Sequence, residues 1–395
     1  MERNVTVDLV IEGFRKLMKK CNSHGHFTSA REDLSTDQPG MELDAALQLH
    51  LWTLPELRRQ IVTILDLLDP HKFLKDPGSR LRLILEIQSE LSHTLDRIII
   101  YAIHILCPLP IYSPSGRRDD QHLQECKQFR LRGLHDHLTQ ALLRAINIVC
   151  CESDFLIQQL ILSTDMKDGD SHVALSRKCL LSRESPLMTS IESGIEWLKG
   201  SDFDIVQVGW SKEVLGYNKS LETILDLVDK TINSTKRNNG RQTKKIDKFV
   251  IQLAKLAIII IKLLRLFFNK LSVRGMNRKR LPMFSKMCSE DLDAVAKVAV
   301  NLGGELHQMA GMLKAAHSAS AHICQHLTET IQNIDTYTTK SLLLILTYFL
   351  PIIPDTNGCP TQNYYRAWFD TWKTLFTIAN NNFLHAVQVF QSNGL

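Results

Sequence analysis

The stretch from Phe249 to Phe268, FVIQLAKLAIIIIKLLRLFF, constrains this chain more than any other. It has roughly the 20-residue length of a bilayer span. Gln252, Lys255, Lys262 and Arg265 interrupt it, and each mid-span charge costs about 2.5–3.5 kcal/mol on insertion scales. On a helical projection Lys244, Lys248, Gln252, Lys255, Lys262 and Asn269 fall on one narrow stripe, and Ile259 and Leu266 fill its gaps. Apolar elsewhere and wet along one edge, the segment reads as a bundle core helix, with no transmembrane helix expected. A chain that buries such a helix must supply several more around it.

It does so throughout. Apolar residues recur at helical spacing over nearly every long segment and alternating runs are almost absent, which predicts an all-α protein. With 18 Gly and 12 Pro in 395 residues, the chain lies below the usual shares of ~7% and ~5%, which excludes loop-rich and low-complexity classes. In the first half, helices are expected over Val5–Cys21, after a Thr53-Leu-Pro-Glu56 capping box to Leu68, after a Ser79 cap to Cys107, and from Asp119 to Leu162 with an interruption at Gly133.

The run from 163 to 185 is polar and irregular and reads as a linker. Beyond it a helix opens at Pro186, and SDFDIVQVGW reads as extended. Ser211–Asn233 is helical, and the Asn238–Gly240 turn precedes the basic-flanked apolar helix 244–271. Ser289 caps the next helix. A junction is expected near Gly303-Gly304 or around His317–His322, and Thr361 opens the last helix, which runs to about Gln391. The expectation is two antiparallel helical bundles, 1–162 and 186–395, joined by the polar linker 163–185.

Catalytic motifs are missing from this pattern: no phosphate loop, nucleophile elbow, dinucleotide fingerprint or H-E-x-x-H occurs. The Asp165–Asp170 run fails as a calcium loop because Ser176 stands where a Glu is needed. His322-x-Cys324-x-His326 places two imidazoles on one helix face with Cys324 pointing elsewhere, and reads as surface histidines. In His135-Asp136-His137 neighbours lie about 100° apart on a helix, too far round to form a local dyad. In the aromatic cluster Tyr364, Tyr365, Trp368, Phe369, Trp372 and Phe376, the stripe of Tyr365, Phe369, Trp372 and Phe376, continued by Phe383, reads as core packing. No catalytic residue, metal or cofactor is expected. Nine cysteines without a C-x-x-C pair and an N-terminus carrying Glu2, Asp8 and Glu12 point to the reducing cytoplasm, with the nucleus as the alternative.

The sharpest signal is charge. Between Lys236 and Arg280 there are 14 Lys and Arg against the single acid Asp247, a net +13 in 45 residues. The whole chain carries 47 basic and 42 acidic residues, so the remainder holds 33 and 41, a net −8. Lys244, Lys245, Arg274, Arg278, Lys279 and Arg280 are therefore the candidate anion-binding residues. The competing expectation is that the acidic remainder neutralises them internally.

Two stretches, KLAIIIIKLLRLFFNKLSVRGMNRKRLPMF (Lys255–Phe284) and LPIIPDTNGCPTQNYYRAWFDTWKTLFTIANNNFLHA (Leu350–Ala386), resemble a lineage-expanded family of uncharacterised helical proteins of rust fungi. The resemblance lies in the Leu-Phe-Phe-Asn-Lys-Leu-Ser helix end and the Pro-Thr-Gln-x-Tyr-Tyr-x-x-Trp-Phe segment. It implies an intracellular helical architecture and carries no activity. A looser similarity, of architecture alone, is to the cyclin-D-binding helical-bundle proteins. The expected role is a non-catalytic module that binds a protein partner, with a nucleic acid or an acidic membrane bound through 236–280 as the alternative. An enzyme would need a pocket of His, Cys and carboxylates drawn from distant helices.

Overall fold

The computed structural model describes residues 2–22, 47–100, 118–163, 169–235, 241–278, 281–315, 321–355 and 360–392. Regular structure among them is entirely helical. In chain order the helices are α1 (Glu2–Asn22), α2 (Leu54–Leu67), α3 (Pro70–Phe73), α4 (Pro77–Ile99), α5 (Gln128–Asp136), α6 (Leu143–Ser163), α7 (Gly169–Lys199), α8 (Asp202–Val206), α9 (Trp210–Thr235), α10 (Arg241–Leu271), α11 (Ser289–Ala315), α12 (Ala321–Leu344) and α13 (Thr361–Ser392). They form two antiparallel bundles, one of Met1–Ser115 with Glu125–Lys199, the other of Gly116–Gln124 with Gly200–Leu395.

The first unit is a closed circuit of neighbours, α1 to α6, α6 to α7, α7 to α2, α2 to α4 and α4 back to α1. Phe14, Leu57, Leu91, Ile146 and Ile191 meet in its core. α5 and α6 are joined by a π-helical stretch, His137–Leu142, so helix continues from Gln128 to Ser163. Gly133 does not break it. A Cβ there would lie 2.1 Å from the Trp197 ring, so glycine seats the indole, whose Nε1 donates to the Arg130 carbonyl at 3.1 Å. This Gln128–Leu162 helix is the one among the described residues long and apolar enough to cross a membrane. Its Leu138, Leu142, Ile146, Val149, Ile157 and Leu160 lie in the core of the first unit.

Several sequence expectations need correction. Residues 169–185, assigned to the linker, are the first half of α7. Val173, Ser176, Leu180, Leu187, Ile191 and Gly194 form one continuous buried stripe, while Pro186 faces solvent. The proline removes a hydrogen bond only on the wet side of the helix, so packing carries the helix through it. Thr53 caps nothing: helix runs on from the π-turn Leu49–Thr53 into α2, and its Oγ1 donates back to the Gln48 carbonyl. Pro55 crowds the carbonyl of residue 51, and the wider π-turn accommodates it. The cap of α4 is Asp76, which accepts from Ser79 N at 3.2 Å, not Ser79. SDFDIV is helix, started by a Ser201/Asp204 capping box. The expected segment 119–127 precedes the helix that begins at Gln128.

The second unit is another closed circuit: α9 to α10, α10 to α13, α13 to α12, α12 to α11 and α11 back to α9. α10 and α13 run antiparallel. Phe249 packs on Phe390 at one end (5.1 Å between ring centroids), Phe267 on Trp372 farther along (4.8 Å), and Trp372 Nε1 donates to the Leu263 carbonyl at 2.9 Å. The junction between α11 and α12 falls beyond Ala315 and leaves Gly303-Gly304 inside α11. The expected Asn238–Gly240 turn, the Asp165 and Asp168 carboxylates and His317 lie outside the described residues.

Candidate functional site

α10 buries Leu253, Ala254, Ala257, Ile260, Ile261, Leu264, Phe267, Phe268 and Leu271, and so presents one edge to solvent. On that edge Lys248, Gln252, Lys255, Ile259, Lys262, Leu266 and Asn269 are all exposed. Their spacing alternates four and three, which is a heptad seam: Gln252, Ile259 and Leu266 hold one seam position, Lys248, Lys255, Lys262 and Asn269 the other. At 1.5 Å per residue the cations repeat every ~10.5 Å. A seam of this form is normally buried against another helix. Here it faces outward, with Ile259 47% and Leu266 51% exposed.

Internal carboxylates do not neutralise this edge. Among the described residues, the exposed Lys248, Lys255, Lys262 and Arg265 make no side-chain hydrogen bond or ion pair, and the same holds for Arg274 and Arg278 beyond the helix. Lys270 is the exception. Its Nζ donates to Tyr364 Oη at 2.7 Å and lies 4.4, 5.3 and 5.1 Å from the ring centres of Tyr364, Tyr365 and Trp368, a cation–π nest that fastens the end of α10 to the start of α13. Of the aromatic stripe, Phe369, Trp372, Phe376 and Phe383 are core as expected and Tyr365 is half-buried, while Tyr364, off the stripe, is 57% exposed.

Beyond α10 the chain turns at Gly275, where a Cβ would lie 2.0 Å from the Lys270 carbonyl oxygen, a backbone approach only glycine allows. Three acids then hold the 272–289 connection. Asp204 accepts from Asn277 Nδ2 at 2.8 Å, and buried Asp202 accepts from both Ser285 N and Oγ at 2.8 Å. Asp120, also buried, accepts from Ser289 N at 2.9 Å and from its hydroxyl. Ser289 is thus held by Asp120 rather than acting alone as the cap. Arg274 and Arg278 project from a pinned loop. Lys279 and Arg280 lie outside the described residues, as do the side chains of Lys244 and Lys245 in the first turns of α10. Sequence reasoning missed the three acids. The Ser-x-x-Asp pattern of Ser201–Asp204 was the available signal for one of them, whereas Asp120 is 169 residues from its partner.

A cleft of about 400 Å³ opens at the start of α11, lined by Arg118, Lys286, Cys288, Glu290, Asp291 and Tyr348 among others. Arg118 is ion-paired with Glu290 and lowers its pKa. Burial pushes the Cys288 thiol up, and its Sγ lies 3.4 Å from Asp291 Oδ2, so it is a poor source of thiolate. In the first unit His135 Nδ1 comes within 3.4 Å of Asp136 Oδ1, closer than the helical projection predicts, while His137 Nε2 turns away to donate to the Ser190 carbonyl at 2.8 Å. On α12, His322 and His326 converge through Nε2 atoms 3.0 Å apart, and Cys324 between them is buried. No group of three or more potential metal ligands occurs among the described residues.

Residues 44–199 match a family described as Domain of unknown function (DUF8723), and residues 201–385 match a second, Domain of unknown function (DUF8721). Their junction coincides with the division between the two bundles at Lys199 and Gly200. No curated protein and no solved structure matches the chain.

Proposed function

We propose that this chain is a non-catalytic helical binding module that docks an acidic amphipathic helix of a partner protein along the exposed edge of α10. The observation that carries this reading is the outward-facing seam, in which unpaired Lys248, Lys255 and Lys262 interleave with exposed Ile259 and Leu266. A helix with apolar residues and acids each repeating every seven positions matches both rows at once. Covering the exposed half of each apolar side chain is worth about 1 kcal/mol, and each surface ion pair about 0.2–1 kcal/mol. No single contact dominates, so register decides the affinity. A second copy of this chain is a poor occupant, because its lysines would face these lysines.

The cations alone would also suit a nucleic acid or an acidic membrane. The ~10.5 Å repeat with apolar residues between favours a helix over phosphates that follow one another every ~3.4 Å along a strand. An intracellular site of action is supported by the free thiols at Cys21, Cys126, Cys150, Cys151, Cys179, Cys288 and Cys324.

The test titrates the full chain with a 25-residue acidic heptad peptide, a scrambled peptide of equal composition, duplex DNA and phosphatidylserine vesicles. The heptad peptide is expected to bind best, with loss on Ile259→Asp/Leu266→Asp and only moderate weakening by salt. Equal binding of the scrambled peptide refutes the seam. Preference for DNA or vesicles, with affinity falling steeply in log salt, replaces this reading with the anionic-surface alternative.

A further inference from the structure

His322 and His326 belong neither to the core nor to the α10 edge. Both are exposed and stand one turn apart on α12, with ring centroids 4.2 Å apart and planes at 80°. Their Nε2 atoms converge to 3.0 Å. His326 Nδ1 lies 3.2 Å from Glu329 Oε2, and Gln325 Nε2 donates to the other carboxylate oxygen, Oε1, at 2.9 Å. A carboxylate only accepts, so it selects the tautomer with hydrogen on Nδ1 and leaves a lone pair on Nε2, the arrangement seen in carboxylate–histidine–metal triads.

We propose that His322 and His326 form a two-imidazole site for a divalent transition-metal ion, with Glu329 orienting His326 from behind. An ion ~2.05 Å from both nitrogens at the observed separation of 3.0 Å subtends an N–metal–N angle of about 94°. That is the cis angle of square-planar or octahedral coordination, the preference of Cu²⁺ and Ni²⁺. A tetrahedral Zn²⁺ needs the nitrogens ~3.3 Å apart, a shift that exposed side chains absorb readily. Two protein ligands leave the other positions to water or to a donor from a second molecule, so this is an open, exchangeable site. Cys324 takes no part, since it is buried and burial pushes its thiol up. The competing account of the short contact is a simple N–H···N hydrogen bond, which needs no metal.

The test uses the full chain with Cu²⁺, Ni²⁺ and Zn²⁺ added singly, read by calorimetry and, for Cu²⁺, by electron paramagnetic resonance. The expected result is one Cu²⁺ site with hyperfine coupling to two imidazole nitrogens and an affinity order of Cu²⁺ above Ni²⁺ and Zn²⁺. His322→Gln and His326→Gln should each weaken that site at least tenfold and leave one nitrogen in the spectrum, with unchanged circular dichroism. Glu329→Gln should weaken it ~10- to 100-fold, the usual effect of losing an outer-shell carboxylate. Unchanged Cu²⁺ affinity and spectrum in both histidine variants would overturn the site, because the ion then sits on other histidines. A native spectrum without two coupled nitrogens would overturn it independently of any variant.

Discussion

Replacing Asp202 should loosen the loop that carries Arg274 and Arg278. This carboxylate is 1% exposed and accepts two hydrogen bonds at 2.8 Å from Ser285, one from the backbone N–H and one from the hydroxyl. Hydrogen bonds to a charged group contribute about 1.5–3 kcal/mol each, and a stranded buried donor costs about 1–3 kcal/mol. Asp202→Ala removes both bonds from Ser285, itself 5% exposed, so the expected loss is about 3–5 kcal/mol. Asp202→Asn keeps an acceptor oxygen of lower charge and should cost about 1–2 kcal/mol. Ser285→Ala removes only the hydroxyl, and a double-mutant cycle with Asp202→Ala should show a coupling of about 1–3 kcal/mol. Urea unfolding gives the totals. Hydrogen exchange on peptides spanning 200–210 and 276–292 gives the local opening, and titration with the heptad peptide shows whether a loosened loop disturbs the proposed docking edge of α10. A coupling near zero, or Asn and Ala variants of equal stability, would refute the view that this carboxylate pins the loop.

Other consequences are accessible to the same methods. Gly133→Ala drives a methyl to 2.1 Å from the Trp197 ring; expelling the indole and breaking its bond to Arg130 should cost about 2–4 kcal/mol and shift tryptophan emission to the red. Lys270→Met leaves the Tyr364, Tyr365 and Trp368 nest without its cation and should cost about 1–2 kcal/mol in urea. Burial pushes the Cys21 thiol up to about 12 in the folded chain. Unfolded cysteine ionises near 8.5, so the stability tied to the protonated thiol is complete below that pH and declines by about 1.4 kcal/mol per unit as pH rises toward 12. Cys21→Ala should flatten that alkaline decline. Cys150 is buried and Cys151 exposed, so iodoacetamide on the native chain should label Cys151 first, as mass spectrometry of the tryptic peptides can show.

The periodic helices were legible because burial writes itself into spacing. The edge of α10 could be drawn from the sequence, and Lys248, Gln252, Lys255, Ile259, Lys262, Leu266 and Asn269 are exposed as that drawing requires. The error at 169–185 came from weighing composition above period: Val173, Leu180, Leu187 and Ile191 already repeat at helical intervals, but the serines, charges and Pro186 around them read as a connector. Caps were legible as residue types and misplaced in position, since Asp76 and Asp120 do the work assigned to Ser79 and Ser289. Contacts far apart in sequence left no local trace. Nothing around Asp120 announces Ser289. The spacing of His322 and His326 likewise set a shared face without telling that their Nε2 atoms would meet.

The charge segregation seen in the sequence survives folding at the described cations of the segment, and this narrows the functional question. A net +13 segment within a body of net −8 could fold back on the protein's own carboxylates, yet its described cations Lys248, Lys255, Lys262, Arg265, Arg274 and Arg278 make no ion pair. Asp120, Asp202 and Asp204 accept hydrogen bonds from serine and asparagine donors of the loop backbone and side chains, which fixes the loop's geometry. Lys270 finds aromatic rings instead of a carboxylate. Among the described residues, Lys248, Lys255, Lys262 and Arg265 are exposed on the helix that also exposes Ile259 and Leu266. An edge kept only for solubility would carry charges of both signs and no row of half-exposed aliphatic side chains. One sign of charge and a heptad of apolar positions on the same edge are the two observations on which the proposed acidic, amphipathic and periodic ligand rests.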